Sequence, residues 1–280
     1  MSFSSNVKDE LLTGISSSKH CKLAELGAMV MMTGRFENEQ WLEPEDNSYV
    51  SGKANKLVKL LQLDIGTEEG KRSLKLIKTQ EGYTIDNMLI ERSCCKQAFL
   101  RGAFLAAGSV TDPEKSYHLE IVCDTKRQSD IISNIIKSFD VIPKTITRKK
   151  YHVVYVKEGS GIVDLLNVMG AHMSLMNMEN VRILKDFRNK YNRQVNCEVA
   201  NLNKTVSAAV KQINDIEYIS KTKGLKFLSE GLRQLAELRV EYDQASLKEL
   251  GDMMSPPLGK SGVNHRLRKI SEIADELRRS

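Results

Sequence analysis

Two groups of residues in this chain have types and spacing suited to chemistry. The first lies near the C-terminus, where GKSGVNHRLRK (Gly259–Lys269) gathers Lys260, Ser261, Asn264, His265, Arg266, Arg268 and Lys269. Asparagine matches the edge of adenine and arginine that of guanine, whereas lysines, hydroxyls and backbone amides hold phosphate oxygens. Asn264 and Arg266 are therefore expected to read bases. Lys260, Arg268 and Lys269 are expected to clamp phosphate, with Ser246, Lys248, Ser261 and His265 completing the contact set. His265 has no nucleophile or orienting acid near it in sequence, so a groove-facing polar role is expected rather than general-base chemistry. The second group is His20-Cys21 together with Cys94-Cys95. Thiolate and imidazole are zinc ligands, but a vicinal cysteine pair is poor tetrahedral spacing and buried structural thiols are the commoner explanation. No metal and no cofactor is expected.

The first group needs a scaffold, and its surroundings supply one. In SLKELGDMMSPPLGKSGVNHRLRKISEIADELRR (Ser246–Arg279), Ser246 with Glu249 three residues on is a capping-box signature for a helix start. Leu247, Leu250 and Met254 give that short helix an apolar stripe. The prolines of SPPLGK (Ser255–Lys260) end it, each lacking an N–H donor and fixing φ. A second helix is expected from near Ser261, with Val263, Leu267, Ile270, Ala274 and Leu277 facing inward and the Asn/His/Arg/Lys set outward. A short helix, a turn and an amphipathic helix with such an outer face is helix-turn-helix logic, in which the second helix enters the major groove. The turn is longer than the usual form, and a merely solvated basic face on a helical bundle is the competing explanation.

Upstream, KDFRNKYNRQ (Lys185–Gln194) is polar and charged and suits a linker. NLNKTVSAAVKQINDIEYIS (Asn201–Ser220) and LKFLSEGLRQLAELRV (Leu225–Val240) are periodic as helices, with Val206, Val210, Ile213, Ile216 on one inner face and Leu228, Leu232, Leu235, Leu238 on the other. Lys and Arg outnumber Asp and Glu by 17 to 12 over residues 187–280, against 25 to 24 over residues 1–186, so nearly all of the net +6 charge sits in the last third. A charge bias confined to one region is the footprint of a nucleic-acid surface.

The first two thirds contain a repeat. CKLAELGAMVMMTGRF (Cys21–Phe36) matches CKQAFLRGAFLAAGSV (Cys95–Val110), pairing Cys21/Cys95, Lys22/Lys96, Ala24/Ala98, Leu26/Leu100 and Gly34/Gly108. The same shift lays Leu57, Val58 and Leu61 on Ile131, Ile132 and Ile135. The second copy reads as a helix over about Lys96–Ala107 stopped by Gly108, and a strand in Ser116–Asp124 with Leu119, Ile121 and Cys123 on one face. A helix over Lys126–Phe139, a hairpin over Lys144–Lys157 and a closing helix at Gly161–Gly170 follow. In the first copy, Glu37–Lys53 is too polar to read as a strand pair.

These helix–glycine segments resemble the LAGLIDADG motif of homing endonucleases, and the αββαββα order resembles that fold. The resemblance implies two helices packed side by side at a pseudo-twofold axis through small residues (Gly27, Ala28, Gly102, Ala103, Ala106), with sheets forming a saddle over duplex DNA. In those enzymes a carboxylate immediately before each final glycine binds divalent metal, the Lewis acid that phosphodiester hydrolysis needs. Here the matching positions hold Thr33 and Ala107, and the nearest acids, Glu37 and Asp112, lie beyond the motif glycines. Nuclease activity is therefore not expected. Lys115, Lys126, Lys144, Arg148, Lys149, Lys150 and Lys157 could still touch phosphate, although Arg148-Lys149-Lys150 suits a solvated loop tip equally well.

VNCEVANLNKTVSAAVKQI (Val195–Ile213) and SLKELGDMMSPPLGKSGVNHRLRKI (Ser246–Ile270) resemble the WhiA family of bacterial regulators, and the resemblance covers nearly the whole chain. It implies a degenerate LAGLIDADG-like domain joined to a C-terminal helix-turn-helix similar to sigma-factor DNA-binding domains. It also implies a non-enzymatic DNA-binding protein acting in cell division, chromosome segregation and sporulation-type transcription control. The expected fold class is α+β, with residues 1–185 LAGLIDADG-like (repeats about 20–92 and 94–180). A linker at 186–200 leads to a helical DNA-binding domain at 201–280, its helix-turn-helix at 246–279. The expected partners are double-stranded DNA and transcription or cell-division proteins, with no membrane and no small-molecule substrate. Scattered odd cysteines, no apolar run long enough to span a bilayer and no signal-peptide pattern place such a protein in the cytoplasm, at the nucleoid. An adaptor with nonspecific DNA affinity and a residual metal-dependent nuclease are the alternatives.

Overall fold

The computed structural model describes residues 2–33, 36–37, 40–41, 44, 47–79 and 82–279. The chain divides into two compact units, Met1–Phe187 and Arg188–Ser280.

The first unit is organised on two helices, α2 (Lys19–Thr33) and α5 (Ser93–Ala107), whose ends are offset by the 74 residues of the repeat. Both are apolar on nearly all sides, the pattern of a helix enclosed by protein: Leu26, Ala28, Met29, Met31, Phe99, Ala103, Phe104 and Leu105 are buried in one core. Their backbones meet at Gly102, where a Cβ would lie 2.3 Å from the Glu25 carbonyl oxygen and 3.1 Å from the Ala28 Cβ. Gly27 was expected at the same contact but faces away from it. Its Cβ would meet Leu89 and Ile85, so Gly27 packs under the later strand and 3₁₀ turn of its own repeat. Gly108 begins a strand with φ −89, not the left-handed cap expected of a helix-stopping glycine. Glycine is needed there because a Cβ would lie 2.3 Å from the Phe104 ring. Its counterpart Gly34 lies outside the described residues.

The second repeat runs as the alternation dictates: α5, β5 (Gly108–Val110), β6 (Leu119–Cys123), α6 (Lys126–Lys137), β7 (Lys144–Arg148), β8 (Tyr151–Val156) and α7 (Gly159–Met169). The strands form one antiparallel sheet in the order β5-β6-β8-β7, with Ile121 opposite Val154. Leu119, Ile121 and Cys123 face the core, as their spacing requires. A Thr125/Gln128 capping box starts α6, which lays Ile132, Ile135 and Ile136 into the core. Lys149, with φ 56, turns the β7–β8 hairpin.

The first repeat keeps the order but not the sheet. β1 (Phe36–Glu37) pairs with β2 (Gln40–Trp41), and β3 (Leu76–Thr79) with β4 (Gly82–Ile85), as separate ribbons among the described residues. Between them run α3 (Ser48–Leu61) and α4 (Glu68–Ser73). The polar Glu37–Lys53 stretch thus holds a short strand pair and the start of α3, which Asn47 caps by accepting from the Val50 amide. α1 (Phe3–Thr13) precedes the repeat.

Sequence periodicity did not anticipate a buried ionic triad. Glu25 on α2 meets Arg101 on α5 at 2.7 Å and Lys53 on α3 at 3.2 Å, and both the Glu25 and Lys53 side chains are fully enclosed. Lys53 also donates to the carbonyls of Leu11 and Gly14. Burial pulls the Lys53 ammonium below its ordinary pKa, with Glu25 opposing that shift.

The division between units falls within α8 (His172–Thr222), so the expected linker at 186–200 is helical, its residues almost all exposed. In the second unit the C-terminal end of α8 is followed by a 3₁₀ turn (Leu225–Phe227), α9 (Glu230–Glu241), α10 (Leu247–Asp252) and α11 (Lys260–Arg279). The helix expected across Leu225–Val240 is broken because Ser229 restarts it as an extended N-cap. The core takes Ile216 and Ile219 from α8 with Leu235, Leu250, Met254, Val263, Leu267, Ile270 and Ala274. Val206 and Val210, expected on the inner face, are half exposed because this core uses only the last turns of α8.

Candidate nucleic-acid interface

α10 and α11 are held at a defined angle by contacts that begin with small residues. The Ser246 hydroxyl accepts from the Glu249 amide while the Glu249 carboxylate accepts from the Ser246 N–H at 2.7 Å, so both halves of the capping box form. Those hydrogen bonds hold the Glu249 carboxyl below its ordinary range. Beyond α10 the chain folds back so tightly that a Cβ on Gly251 would lie 2.1 Å from the Leu258 carbonyl oxygen. The Leu258 amide donates to the Gly251 carbonyl at 2.9 Å and closes this turn. Arg239, buried at 3% exposure, donates to the carbonyls of Ala245 and Asp243 and fixes the loop that presents Ser246. Burial lowers the pKa of that guanidinium. An arginine in an amphipathic helix carries no sequence mark of this role.

On α11 the inner positions Val263, Leu267, Ile270 and Ala274 are all buried, whereas Lys260, Ser261, Asn264, His265, Arg268 and Lys269 are exposed. Ser246 and Lys248 on the preceding helix are exposed as well. Arg266 differs from the expected base reader. It is half-buried, its Nη1 donates to the Gly231 carbonyl at 3.3 Å, and its guanidinium covers the first turn of α9. Lys269 pairs with Glu272 at 3.5 Å on the surface. Lys204, Arg239, Ser246, Lys260 and Asn264 border a cavity of about 280 Å³, so three of the expected contact residues share one recess. At the other end of α11, Arg278 pairs with buried Asp215 at 2.7 Å and stacks over Tyr218.

The secondary cations lie in the first unit: Lys126 opens α6, Arg148 ends the outer strand β7, and Lys149 and Lys150 form the hairpin turn. Lys126, Arg148, Lys149 and Lys150 are exposed; Arg148 lies 3.8 Å from Glu120, and Lys150 sits over the Tyr151 ring. At the C-terminal foot of α2 and α5, the Thr33 hydroxyl donates to the Met29 carbonyl at 2.8 Å and accepts from Trp41 Nε1 at 3.1 Å. Asn47 Nδ2 donates to the Ala106 carbonyl at 3.0 Å beside Ala107. Asp112 caps its own turn by accepting from the Glu114 amide. The Glu37 side chain lies outside the described residues.

At the opposite end of the same helices the structure corrects the objection to a vicinal ligand pair. His20 and Cys21 open α2 and Cys94 and Cys95 open α5, and the ligand atoms of all four lie within 4.8 Å of one another. The spacing along the chain was poor, but the ligands converge across the helix pair. Burial and the neighbouring thiols push Cys21 up to about 12.

The fold and this site define a class: a LAGLIDADG-like unit followed by a helix-turn-helix unit. Residues 96–188 match the family model of the WhiA LAGLIDADG-like domain and residues 191–274 that of the WhiA C-terminal HTH domain. The chain is 47% identical over 313 residues to a probable cell division protein WhiA of Lachnoclostridium phytofermentans, covering 99% of this chain and 100% of that one. It is 44% identical to the protein of the same name from Alkaliphilus oremlandii, covering 99% and 98%. The crystal structure of full-length DUF199/WhiA from Thermatoga maritima superimposes with a TM-score of 0.57 at 24% identity, over 99% of both chains. The chain belongs to the WhiA family. Among the described residues no helix is long and apolar enough to cross a membrane.

Proposed function

We propose that this chain is a non-enzymatic protein that binds duplex DNA with sequence preference, presenting the N-terminal half of α11 to the major groove. The observation that carries the reading is the separation of faces on α11. Val263, Leu267 and Ile270 are buried while Lys260, Asn264, His265, Arg268 and Lys269 are exposed. Asn264 is the base reader, and Lys260, Ser261, Arg268 and Lys269 hold phosphate, with Ser246 and Lys248 contributing from α10. Arg266 serves chiefly to hold α9 against α11. Lys126, Arg148, Lys149 and Lys150 supply secondary, sequence-independent contacts.

The foot of the helix pair supports the absence of nuclease chemistry. Ala107 offers no ligand oxygen, and the Thr33 hydroxyl is engaged by Met29 and Trp41, whereas hard divalent cations require carboxylate or comparable oxygens. The relatives' name, cell division protein, supports a role in division, and the helix-turn-helix supports exerting it at the nucleoid through transcription control.

Gel-shift titrations of the full chain on its own genomic targets, at several salt concentrations, test this reading. Replacing Lys260 or Arg268 by Ala removes a phosphate contact, and each is expected to lower the salt slope by about 1. Asn264→Ala is expected to relax base preference at one position. Unchanged affinity and unchanged slope in Lys260→Ala and Arg268→Ala would remove α11 from the interface.

A further inference from the structure

We propose that His20, Cys21, Cys94 and Cys95 form a zinc site that joins the two repeats at the N-terminal end of the α2–α5 pair. The donor set is three thiols and one imidazole, the composition of a Cys₃His structural zinc centre, and soft ligands of this kind exclude Mg²⁺ and Ca²⁺. His20 Nδ1 stands 3.2 Å from Cys95 Sγ and 3.3 Å from Cys21 Sγ. All four ligand atoms fit within 4.8 Å. In a tetrahedral centre with Zn–S bonds of about 2.3 Å the sulfurs sit about 3.8 Å apart, so closing on the ion needs side-chain shifts of about 1 Å.

The repeat explains the convergence. A shift of 74 residues carries His20 onto Cys94 and Cys21 onto Cys95, and the helices α2 and α5 share their ends under that shift. Each repeat therefore contributes an adjacent ligand pair from the first turn of its helix, and the pseudo-twofold axis turns two poor vicinal pairs into one four-ligand set. The residues also have the exposure a metal site needs. Cys21 and Cys95 are buried, His20 is half-buried and Cys94 is exposed, which fixes the ion at the rim of the core with a route for entry. A zinc ion with three thiolates carries net negative charge, and the amide ends of two helices favour such charge at that place.

Ligation exchanges thiol protons for the ion. Three S–H bonds are lost, three Zn–S bonds and one Zn–N bond form, and the protons pass to solvent with no change of oxidation state. The ion cross-links residues 74 positions apart and stiffens the head of the helix pair.

The test uses the full chain, purified without chelators, with zinc alone as the probe. Elemental analysis is expected to give one zinc per chain. Cobalt(II) exchanged into the site is expected to give the thiolate charge-transfer and tetrahedral ligand-field bands. Cys95→Ser and His20→Ala are expected to lose zinc. Cys94→Ser changes an exposed side chain, keeps the far-ultraviolet circular dichroism of the parent, and is expected to lose stoichiometric zinc as well; Cys197→Ser keeps it. Zinc-free protein, obtained without chelators and with the cluster thiols reduced, overturns the proposal. So does full zinc retention in a folded Cys94→Ser variant, or a disulfide within the cluster in protein kept under reducing conditions.

Discussion

Gly102→Ala and Gly52→Ala make the same chemical change in two helix interiors and are expected to move stability in opposite directions. Gly52 lies on the exposed side of α3, and a Cβ there meets nothing within 4 Å. Its replacement gains only helix propensity and reduced freedom of the unfolded chain, about 0.5–1 kcal/mol. At Gly102 the added carbon would lie 2.3 Å from the Glu25 carbonyl oxygen, a backbone atom that moves only with α2. Carbon–oxygen contacts settle near about 3.3 Å, so the helices must part by about 1 Å. Overpacking of this kind costs about 1–3 kcal/mol, and the same propensity gain of up to about 1 kcal/mol opposes it. The propensity gain is common to both variants, so they should differ by the overpacking cost, about 1–3 kcal/mol, with Gly102→Ala the less stable of the two by that amount and below the parent by up to about 2 kcal/mol. Urea unfolding of the full chain followed by Trp41 fluorescence reads the first unit alone, because Trp41 is the only tryptophan and is hydrogen-bonded to Thr33 on α2. A Gly102→Ala protein with the parental midpoint or a higher one would refute packing of α2 against α5 through this position.

The ionic triad gives a second ordering. Glu25→Gln leaves Lys53 and Arg101 enclosed without their counter-charge and is expected to cost about 3–5 kcal/mol, while Lys53→Met keeps the Glu25–Arg101 pair and leaves only the Leu11 and Gly14 carbonyls short of a donor, about 1–3 kcal/mol. The same Trp41 transition measures both, and a larger loss for Lys53→Met would reverse the assignment of Glu25 as the centre of charge. In the second unit, Ser246→Ala removes the cap of α10 and is expected to cost about 1 kcal/mol in thermal melts followed by circular dichroism. Glu249 is depressed below 4.5 in the folded state, so its contribution is present above that value and is lost as pH falls through the lower folded one. Glu249→Gln should flatten that acid dependence of the second unit, and an undiminished slope would show that another group carries it.

What was legible in the sequence depended on whether burial imposes a period. β6 presents one face to the core, so Leu119, Ile121 and Cys123 declared it, and α11 declared itself through Val263, Leu267, Ile270 and Ala274. The Ser246/Glu249 box worked because a cap is local chemistry. The first repeat was opaque because its strands are two-residue and four-residue ribbons carrying no sustained alternation. The hydrogen bond of Arg266 to Gly231 was hidden for a related reason. The position of Arg266 on the helix wheel sits at the border between faces, and only the approach of α9 at Gly231 decides which side its guanidinium takes. Glu25 did leave a signal, as the only acid within the apolar run of α2, but its partners on α3 and α5 are 28 and 76 residues away.

The cysteine–histidine cluster was obscured by a different step, one the sequence itself could have corrected. Spacing rules such as C-x-x-C describe ligands that reach an ion from one turn or one hairpin. They do not apply when a duplicated element faces its own copy across a twofold axis, because each ligand is then used twice and the relevant separation is between helices. The shift that equates Cys21 with Cys95 also equates the residues before them, so side-by-side packing of α2 and α5 puts both pairs at one end. The two ends of this helix pair are about 20 Å apart at a rise of about 1.5 Å per residue, and they differ electrically. The C-terminal foot presents carbonyls, two of which Asn47 and Thr33 engage, and the positions before the motif glycines, Thr33 and Ala107, carry no carboxylate to fix a hard cation. The N-terminal head presents amides, which favour anionic thiolates, and there the soft ligands have accumulated. The symmetry that placed an oxygen-ligated metal between paired carboxylates in the resembling nucleases thus serves, in this chain, a sulfur-ligated ion at the opposite end.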